Sequence, residues 1–70
     1  MQHITVSSSN LESVGYDAKQ QLLEIAFLNG SLYQYSGVPD AVYQGLMNAS
    51  SHGSYFHRHI KDRYRYLRIR

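Results

Sequence analysis

The sequence predicts an α+β fold: one small domain over residues 1–70, in which an antiparallel β-meander of about four to five short strands carries two short helices on one face. Apolar and polar residues alternate through the first half of the chain, as in strands with one buried face. Helical spacing of apolar residues begins only after Pro39. Strands and helices are therefore segregated along the chain, which favours helices packed on one face of an antiparallel sheet.

Four segments of the first half are predicted strands: His3–Val6, Leu11–Tyr16, Gln21–Leu28 and Ser31–Ser36. The third is the clearest, because Leu23, Ile25 and Phe27 alternate onto one face. Asn29 and Gly30 separate it from the fourth, and both residues tolerate the positive φ that a type I′ hairpin turn requires at its two central positions. We therefore expect the third and fourth segments to pair antiparallel, with the second joining them.

The first helix is predicted over Pro39–Asn48, with Val42 and Leu46 one turn apart on its apolar face. Pro39 suits the first helical position, because the amide hydrogen that proline lacks has no intrahelical partner there. Asp40 in the first turn complements the positive end of the helix dipole.

A second helix is expected to run to about Asp62. Ser50 or Ser54 is the candidate cap, since serine side chains accept hydrogen bonds from free amides at helix starts. Phe56 and Ile60 are one turn apart and would form the inner face of this helix.

Alternation returns over Tyr64–Ile69, which predicts a final strand. Its two faces would carry different residues: Tyr64, Tyr66 and Arg68 on one side, and Arg65, Leu67 and Ile69 on the other. This strand must return to an edge of the sheet, and we expect that edge to be the one beside the first strand.

Composition excludes several classes of protein. The chain has no cysteine, which excludes disulfides and thiolate metal sites and fits a cytoplasmic location. No apolar run is long enough for a membrane span, and the first residues lack a signal-peptide pattern, so we expect no membrane association.

The histidines do not predict a metal site. His57 and His59 are two residues apart on a helix and would point in different directions. His52 and His59 would share a face, but no carboxylate nearby completes a ligand set. We therefore predict no metal and no cofactor.

Charge is distributed unevenly, and this is the feature that points towards a partner. Six of the seven basic residues lie in residues 58–70, here named the basic segment: Arg58, Lys61, Arg63, Arg65, Arg68 and Arg70. Against Asp62 they give this segment a charge of +5, whereas residues 1–57 carry −3. A polyanion is the natural partner for such a segment. The alternative interpretation of the basic segment is a solvated edge strand whose charges prevent aggregation.

Tyrosine is over-represented, with seven copies. Tyr64 and Tyr66 lie within the basic segment, where their rings could stack on bases while arginines contact phosphates. Tyr33, Tyr35 and Tyr55 are further candidates for stacking. For Tyr33 and Tyr35, packing under the helices is the favoured interpretation, because one sheet face must be covered.

A series of short motifs is spread along the chain in this order: Val6-Ser7-Ser8, Val14-Gly15-Tyr16-Asp17, Phe27-x-x-Gly30, Tyr33-Gln34-Tyr35, Val38-Pro39-x-x-Val42-Tyr43, Leu46, Ala49-x-Ser51-x-Gly53, Tyr55-Phe56 and Ile60. Together they resemble the KTSC domain, which is named after the C-terminal extension of some lysyl-tRNA synthetases and also occurs in small bacterial and phage proteins. The Tyr-x-Tyr motif, which stands here at Tyr33 and Tyr35, is the usual characteristic motif of that family. His57 stands where the family commonly has asparagine. The association with a tRNA synthetase implies RNA binding by analogy.

These observations lead to a functional prediction. The domain is predicted to be a non-catalytic accessory domain that binds nucleic acid, RNA rather than DNA, through the basic segment. The alternative is a protein-interaction or homodimerisation module in which tyrosines and arginines form the interface. Catalysis would need a ribonuclease-like use of His57, His59, Lys61 and Arg63, but the order of strands and helices differs from the toxin families of that type.

Overall fold

The computed structural model describes residues 1–70, which form one five-stranded antiparallel sheet and two helices. The strands are β1 (His3–Thr5), β2 (Leu11–Asp17), β3 (Leu22–Phe27), β4 (Leu32–Ser36) and β5 (Arg65–Arg68). The helices are α1 (Asp40–Asn48) and α2 (His52–His59), both between β4 and β5 in the chain. The predicted α+β class is confirmed. Neither helix is long and apolar enough to cross a membrane.

The strands follow one another across the sheet in chain order, β1-β2-β3-β4-β5. The final strand therefore lies beside β4, with Ser36 opposite Arg65 and Tyr33 opposite Arg68. The expectation that it returns beside the first strand is wrong. The helix pair leads the chain back to the free edge of β4, so β5 covers that edge while β1 forms the other edge of the sheet.

The hairpin between β3 and β4 differs from the predicted type I′ turn. The Phe27 amide donates to the Ser31 carbonyl at 2.8 Å, and the Gly30 amide donates to the Phe27 carbonyl at 3.0 Å. The loop thus spans Leu28, Asn29 and Gly30, and of these only Gly30 has positive φ, at +94°. Because β3 ends earlier than predicted, a three-residue loop forms, which needs a left-handed residue only at its end.

Both helix starts differ slightly from expectation. Pro39 is the residue before α1 rather than its first residue, with φ −70° and ψ 156°. Ser51, not Ser50 or Ser54, caps α2, and its hydroxyl accepts a hydrogen bond from the Ser54 amide at 3.2 Å. A capping serine accepts a hydrogen bond from the amide three residues further along the chain. The cap is therefore the serine that has an extended backbone immediately before the helix, which is Ser51 here.

The core lies between the helices and one face of the sheet. Leu23 and Ile25 of β3 and Leu46 of α1 are fully buried, while Phe56 of α2 and Ile60, the residue just after this helix, close the same core. The apolar faces predicted for β3 and for both helices are confirmed. The same packing defines two sheet faces: one covered by the helices, and one open.

Candidate nucleic-acid interface

The basic segment begins within α2 and ends beyond β5. Arg58 lies on α2, Lys61 and Arg63 lie in the turn that follows, and Arg65 and Arg68 are the ends of β5. All six basic side chains, Arg70 included, are exposed.

Register decides which of these side chains share a surface. Arg68 lies opposite Tyr33, and Tyr66 lies opposite Tyr35, so these four side chains share the helix-covered face of the sheet. Arg65 is offset by an odd number of residues and lies on the open face. The basic residues therefore surround the β5 edge rather than form one flat patch.

None of the basic side chains of the segment is in an ion pair. The short contact between a basic group and a carboxylate in the structure joins His3 Nε2 of β1 to Glu24 Oε1 of β3 at 2.8 Å, outside the segment. The Arg68 guanidinium carbon lies 5.8 Å from the centroid of the Tyr33 ring, close enough for a cation–π contact. The positive charge of the segment is thus available to an external anion.

The tyrosines of the predicted site differ in exposure. Tyr66 is 55% exposed, whereas Tyr64 and Tyr33 are half-buried. Tyr35 is only 4% exposed and packs edge-on against Phe56, with the ring centroids 5.6 Å apart. Packing under the helices is therefore the outcome for Tyr35, and its burial argues against its ring as a stacking platform.

Tyr55 lies away from the sheet, between the two helices. Its ring occupies the position where a Cβ on Gly45 of α1 would lie. Its other neighbour is His59, with ring centroids 4.4 Å apart. This half-buried tyrosine holds α1 against α2, and the structure does not bring it together with the tyrosines of β4 and β5.

An aromatic pocket of about 350 Å³ opens between α2 and the β4–β5 edge. Its aromatic lining consists of Phe27, Tyr33, Tyr35, Phe56 and Tyr66, and its polar rim consists of Asn10, Asn29, Ser31, His57, Lys61 and Asp62. The volume lies within the range of about 300–1,000 Å³ that small-molecule sites span. Aromatic rings with a few polar groups at the rim suit a flat ring that carries donors and acceptors at its edge.

Tyr35 is the most buried of the three tyrosines that line this pocket. Its hydroxyl makes no hydrogen bond within the protein, yet no fully buried side-chain polar atom of the chain lacks a partner, so this hydroxyl is not sealed from solvent. Burial, followed by the neighbouring Tyr33, Tyr66 and Asp62, raises the pKa of Tyr35 to about 12. The hydroxyl is therefore protonated at neutral pH and is a free hydrogen-bond donor.

The sequence did not indicate this pocket, although it indicated parts of the lining. Tyr33, Tyr35, Tyr66 and Lys61 were candidates, but Phe27 and Phe56 were assigned only to the core. Alternation places Phe27 and the tyrosines of β4 on one sheet face, which was a usable signal. The pocket also requires β5 to lie beside β4, and alternation within single strands does not predict which strands are neighbours.

The histidines have separate surroundings. His52 Nδ1 lies 2.8 Å from the Leu46 carbonyl oxygen, which ties the start of α2 to α1. His57 lies at the rim of the aromatic pocket, while His59 packs on Tyr55. No three histidine or carboxylate side chains converge as a metal-ligand set would.

Comparison with known proteins agrees with the fold. The family profile of the KTSC domain matches residues 7–64. An uncharacterized protein of Stutzerimonas stutzeri is 46% identical over 70 residues, which are 99% of each chain. The crystal structure of a KTSC domain protein from Yersinia pestis has a TM-score of 0.93 and 41% identity, covering 99% of this chain and 97% of that one. The chain belongs to the KTSC domain family, and the resemblance indicated by its motifs is confirmed.

The same domain occurs within a much larger enzyme. A lysine–tRNA ligase of Trichormus variabilis is 40% identical over 61 residues, which are 87% of this chain and 11% of the ligase. A ligase of Nostoc sp. matches over the same share of its length. The KTSC domain is thus a small accessory domain of these bacterial ligases and also forms nearly the whole of small proteins.

Proposed function

We propose that this domain is a non-catalytic accessory domain that binds nucleic acid, RNA in particular, through the basic segment. The observation that carries the proposal is the exposure of six basic side chains, none of which is in an ion pair. Unpaired arginines are weakly hydrated and match phosphate oxygens bidentately, so they favour a phosphate backbone as partner.

The expected mechanism is release of counterions from the phosphate backbone, with stacking as a second contribution. Tyr66 supports stacking on bases, because its ring is exposed on the same face of the sheet as Arg68. Occurrence of the domain within lysine–tRNA ligases supports RNA as the nucleic acid.

The test is fluorescence anisotropy of a labelled tRNA and a labelled single-stranded DNA, titrated with the protein over a salt series. We expect micromolar binding, stronger for RNA, that weakens steeply with salt. Replacing Arg63, Arg65 and Arg68 together by glutamine should weaken binding and reduce the slope of log K against log salt by up to about 2, since each contact with single-stranded phosphate contributes about 0.7.

Lys19→Gln is the control, because Lys19 is the basic residue outside the segment and is also exposed. It should bind like the wild type and retain the full salt slope. Thermal unfolding of the triple variant should match that of the wild type, since its three side chains are exposed. Unchanged affinity in the triple variant would remove the basic segment from the binding site.

A second candidate function is protein interaction or homodimerisation. It is supported by exposed apolar side chains on β5 and just beyond it: Tyr66 at 55%, Leu67 at 62% and Ile69 at 47% exposed. An edge strand of this kind can pair with another strand. Molar mass by light scattering at low and high salt discriminates the two functions, because a dimer that persists at high salt would favour the interaction module.

A further inference from the structure

We propose that the aromatic pocket binds one unpaired nucleobase, with its ring on Tyr66 and its edge accepting a hydrogen bond from the Tyr35 hydroxyl. This inference rests on the proposed nucleic-acid binding and deepens it, because it assigns a position to a base rather than to the phosphate backbone. It restricts the partner to single-stranded segments, loops or bulges, since a paired base cannot enter a pocket.

The Tyr35 hydroxyl is the first observation in favour. A side chain that is only 4% exposed normally has its polar atom satisfied by the protein or by ordered water. For comparison, the Tyr16 hydroxyl donates to the Val38 carbonyl at 2.6 Å. The Tyr35 hydroxyl has no such partner within the protein, and Tyr35 lines the pocket, so an acceptor atom in the ring plane of a bound ligand would replace water at this donor.

The arrangement of the walls is the second observation. Tyr66 lies 5.8 Å from Tyr33 and 5.9 Å from Tyr35, centroid to centroid, and its ring is tilted by 45° and 39° to them. Tyr66 is therefore not stacked on either neighbour, and more than half of its surface is free. A free tyrosine face beside a donor is the combination with which proteins hold a splayed-out base.

Charge at the rim distinguishes a nucleotide from a neutral aromatic ligand. Lys61 and Asp62 lie at the rim beside α2, and Arg68, which is not part of the lining, lies over Tyr33 on the β5 side, so two cations face one carboxylate. Neither cation is in an ion pair. A base within the pocket would bring its flanking phosphates towards cations on both sides, which a neutral ring would not use.

The experiment compares five single variants for binding to a fluorescein-labelled single-stranded RNA and to a duplex RNA of equal length. Tyr66→Leu removes the stacking face, and Tyr35→Phe removes only the free hydroxyl. The matched controls are Leu67→Ala, the exposed neighbour of Tyr66 on the opposite face of β5, and Tyr43→Phe, a hydroxyl removal on α1 away from the pocket.

We expect single-strand affinity to fall about 5- to 150-fold in Tyr66→Leu and about 2- to 12-fold in Tyr35→Phe. The salt slope and the duplex affinity should be unchanged, and both controls should bind like the wild type. Tyr66→Phe should retain single-strand binding because it keeps the ring. Tyr35→Phe should be at least as stable as the wild type, because no hydrogen bond within the protein is lost.

Three outcomes would overturn the inference in distinguishable ways. If the pocket variants bind RNA like their controls while the arginine triple variant does not, the pocket assignment is wrong and the proposed function stands. If the wild type binds neither RNA at low salt, the proposed function fails and this inference fails with it. If the wild type is a dimer that Tyr66→Leu dissociates, the pocket is a protein interface.

Discussion

At the scale of single residues, Glu24 of β3 shows how a charge is held on the open face of the sheet. His3 Nε2 lies 2.8 Å from one of its carboxylate oxygens, and the Gln34 amide donates to the other at 3.1 Å. His3 Nδ1 lies 2.9 Å from the Ser13 hydroxyl, so one imidazole joins β1 to β2 and β3. The hydrogen bond from His3 lowers the pKa of Glu24 more than burial raises it.

This contact predicts a pH dependence of stability. A carboxyl group whose pKa is lowered by folding stabilises the protein above the pKa of the unfolded chain, and this contribution is lost as the pH falls through the lowered folded pKa. We expect His3→Ala to lower the free energy of unfolding by about 1–2 kcal/mol near pH 6. The difference from the wild type should shrink as the pH falls below about 4.5, the ordinary pKa of a glutamate.

Urea unfolding at a series of pH values measures this difference, with Thr5→Ala as the control on the same strand and face. The control should lose little stability, because Thr5 is exposed and makes no side-chain hydrogen bond. A His3→Ala deficit that is the same at every pH would show that packing of the imidazole over Gly15, and not Glu24, is responsible.

At the scale of elements, the contact between α1 and α2 depends on Gly45. The Tyr55 ring lies where a Cβ at this position would be, so the two helices approach closely at this point. Glycine within a helix is normally unfavourable by about 1 kcal/mol relative to alanine. Here the missing side chain is what admits the tyrosine.

We therefore expect Gly45→Ala to destabilise the domain by about 1–3 kcal/mol, the opposite of its usual effect in a helix. In a Tyr55→Leu background the same substitution should be neutral or stabilising, because the obstructing ring is gone. Thermal unfolding of the wild type, both single variants and the double variant gives the coupling energy. A stabilising Gly45→Ala in the wild-type background would contradict the packing described.

Much of the element structure was predictable because its signals are local. Alternation located all five strands, and apolar spacing identified the inner faces of both helices, such as Phe56 and Ile60. The hairpin loop and the cap of α2 were predicted wrongly in detail, because shifting a strand end or a cap by one residue changes little in a local pattern. The position of β5 could not be predicted, since pairing across residues 37–64 is a long-range contact.

At the scale of the whole molecule, residues 1–57 carry a net negative charge, and the positive charge is concentrated around the edge strand β5. The sheet has two edge strands, β1 and β5, but only β5 lies in the basic segment. The charge asymmetry was visible in the sequence. The aromatic pocket was not, because its lining comes from three strands, two loops, α2 and the turn after it, which are brought together only by the complete fold.

The two edges provide an internal comparison for the proposed function. In native-state hydrogen exchange we expect the β3 amides to exchange most slowly, since β3 has a partner strand on both sides and Leu23 and Ile25 are fully buried. Both edge strands should exchange faster. Adding a single-stranded RNA should slow exchange in β5 and leave β1 unchanged, whereas equal slowing at both edges would indicate general stabilisation instead.

The order of the strands also has a kinetic consequence. Each of the first three strand pairs joins chain neighbours through a short connection, whereas β4 and β5 close around both helices. Closing a longer loop costs more chain entropy, so β5 should be the last strand to dock during folding and the first to detach. Because β5 supplies Tyr66 and Arg68, a molecule whose last strand has frayed would keep most of its core but lose its pocket. Affinity for a ligand held there would then include the free energy of docking that strand, and a bound ligand would oppose its release.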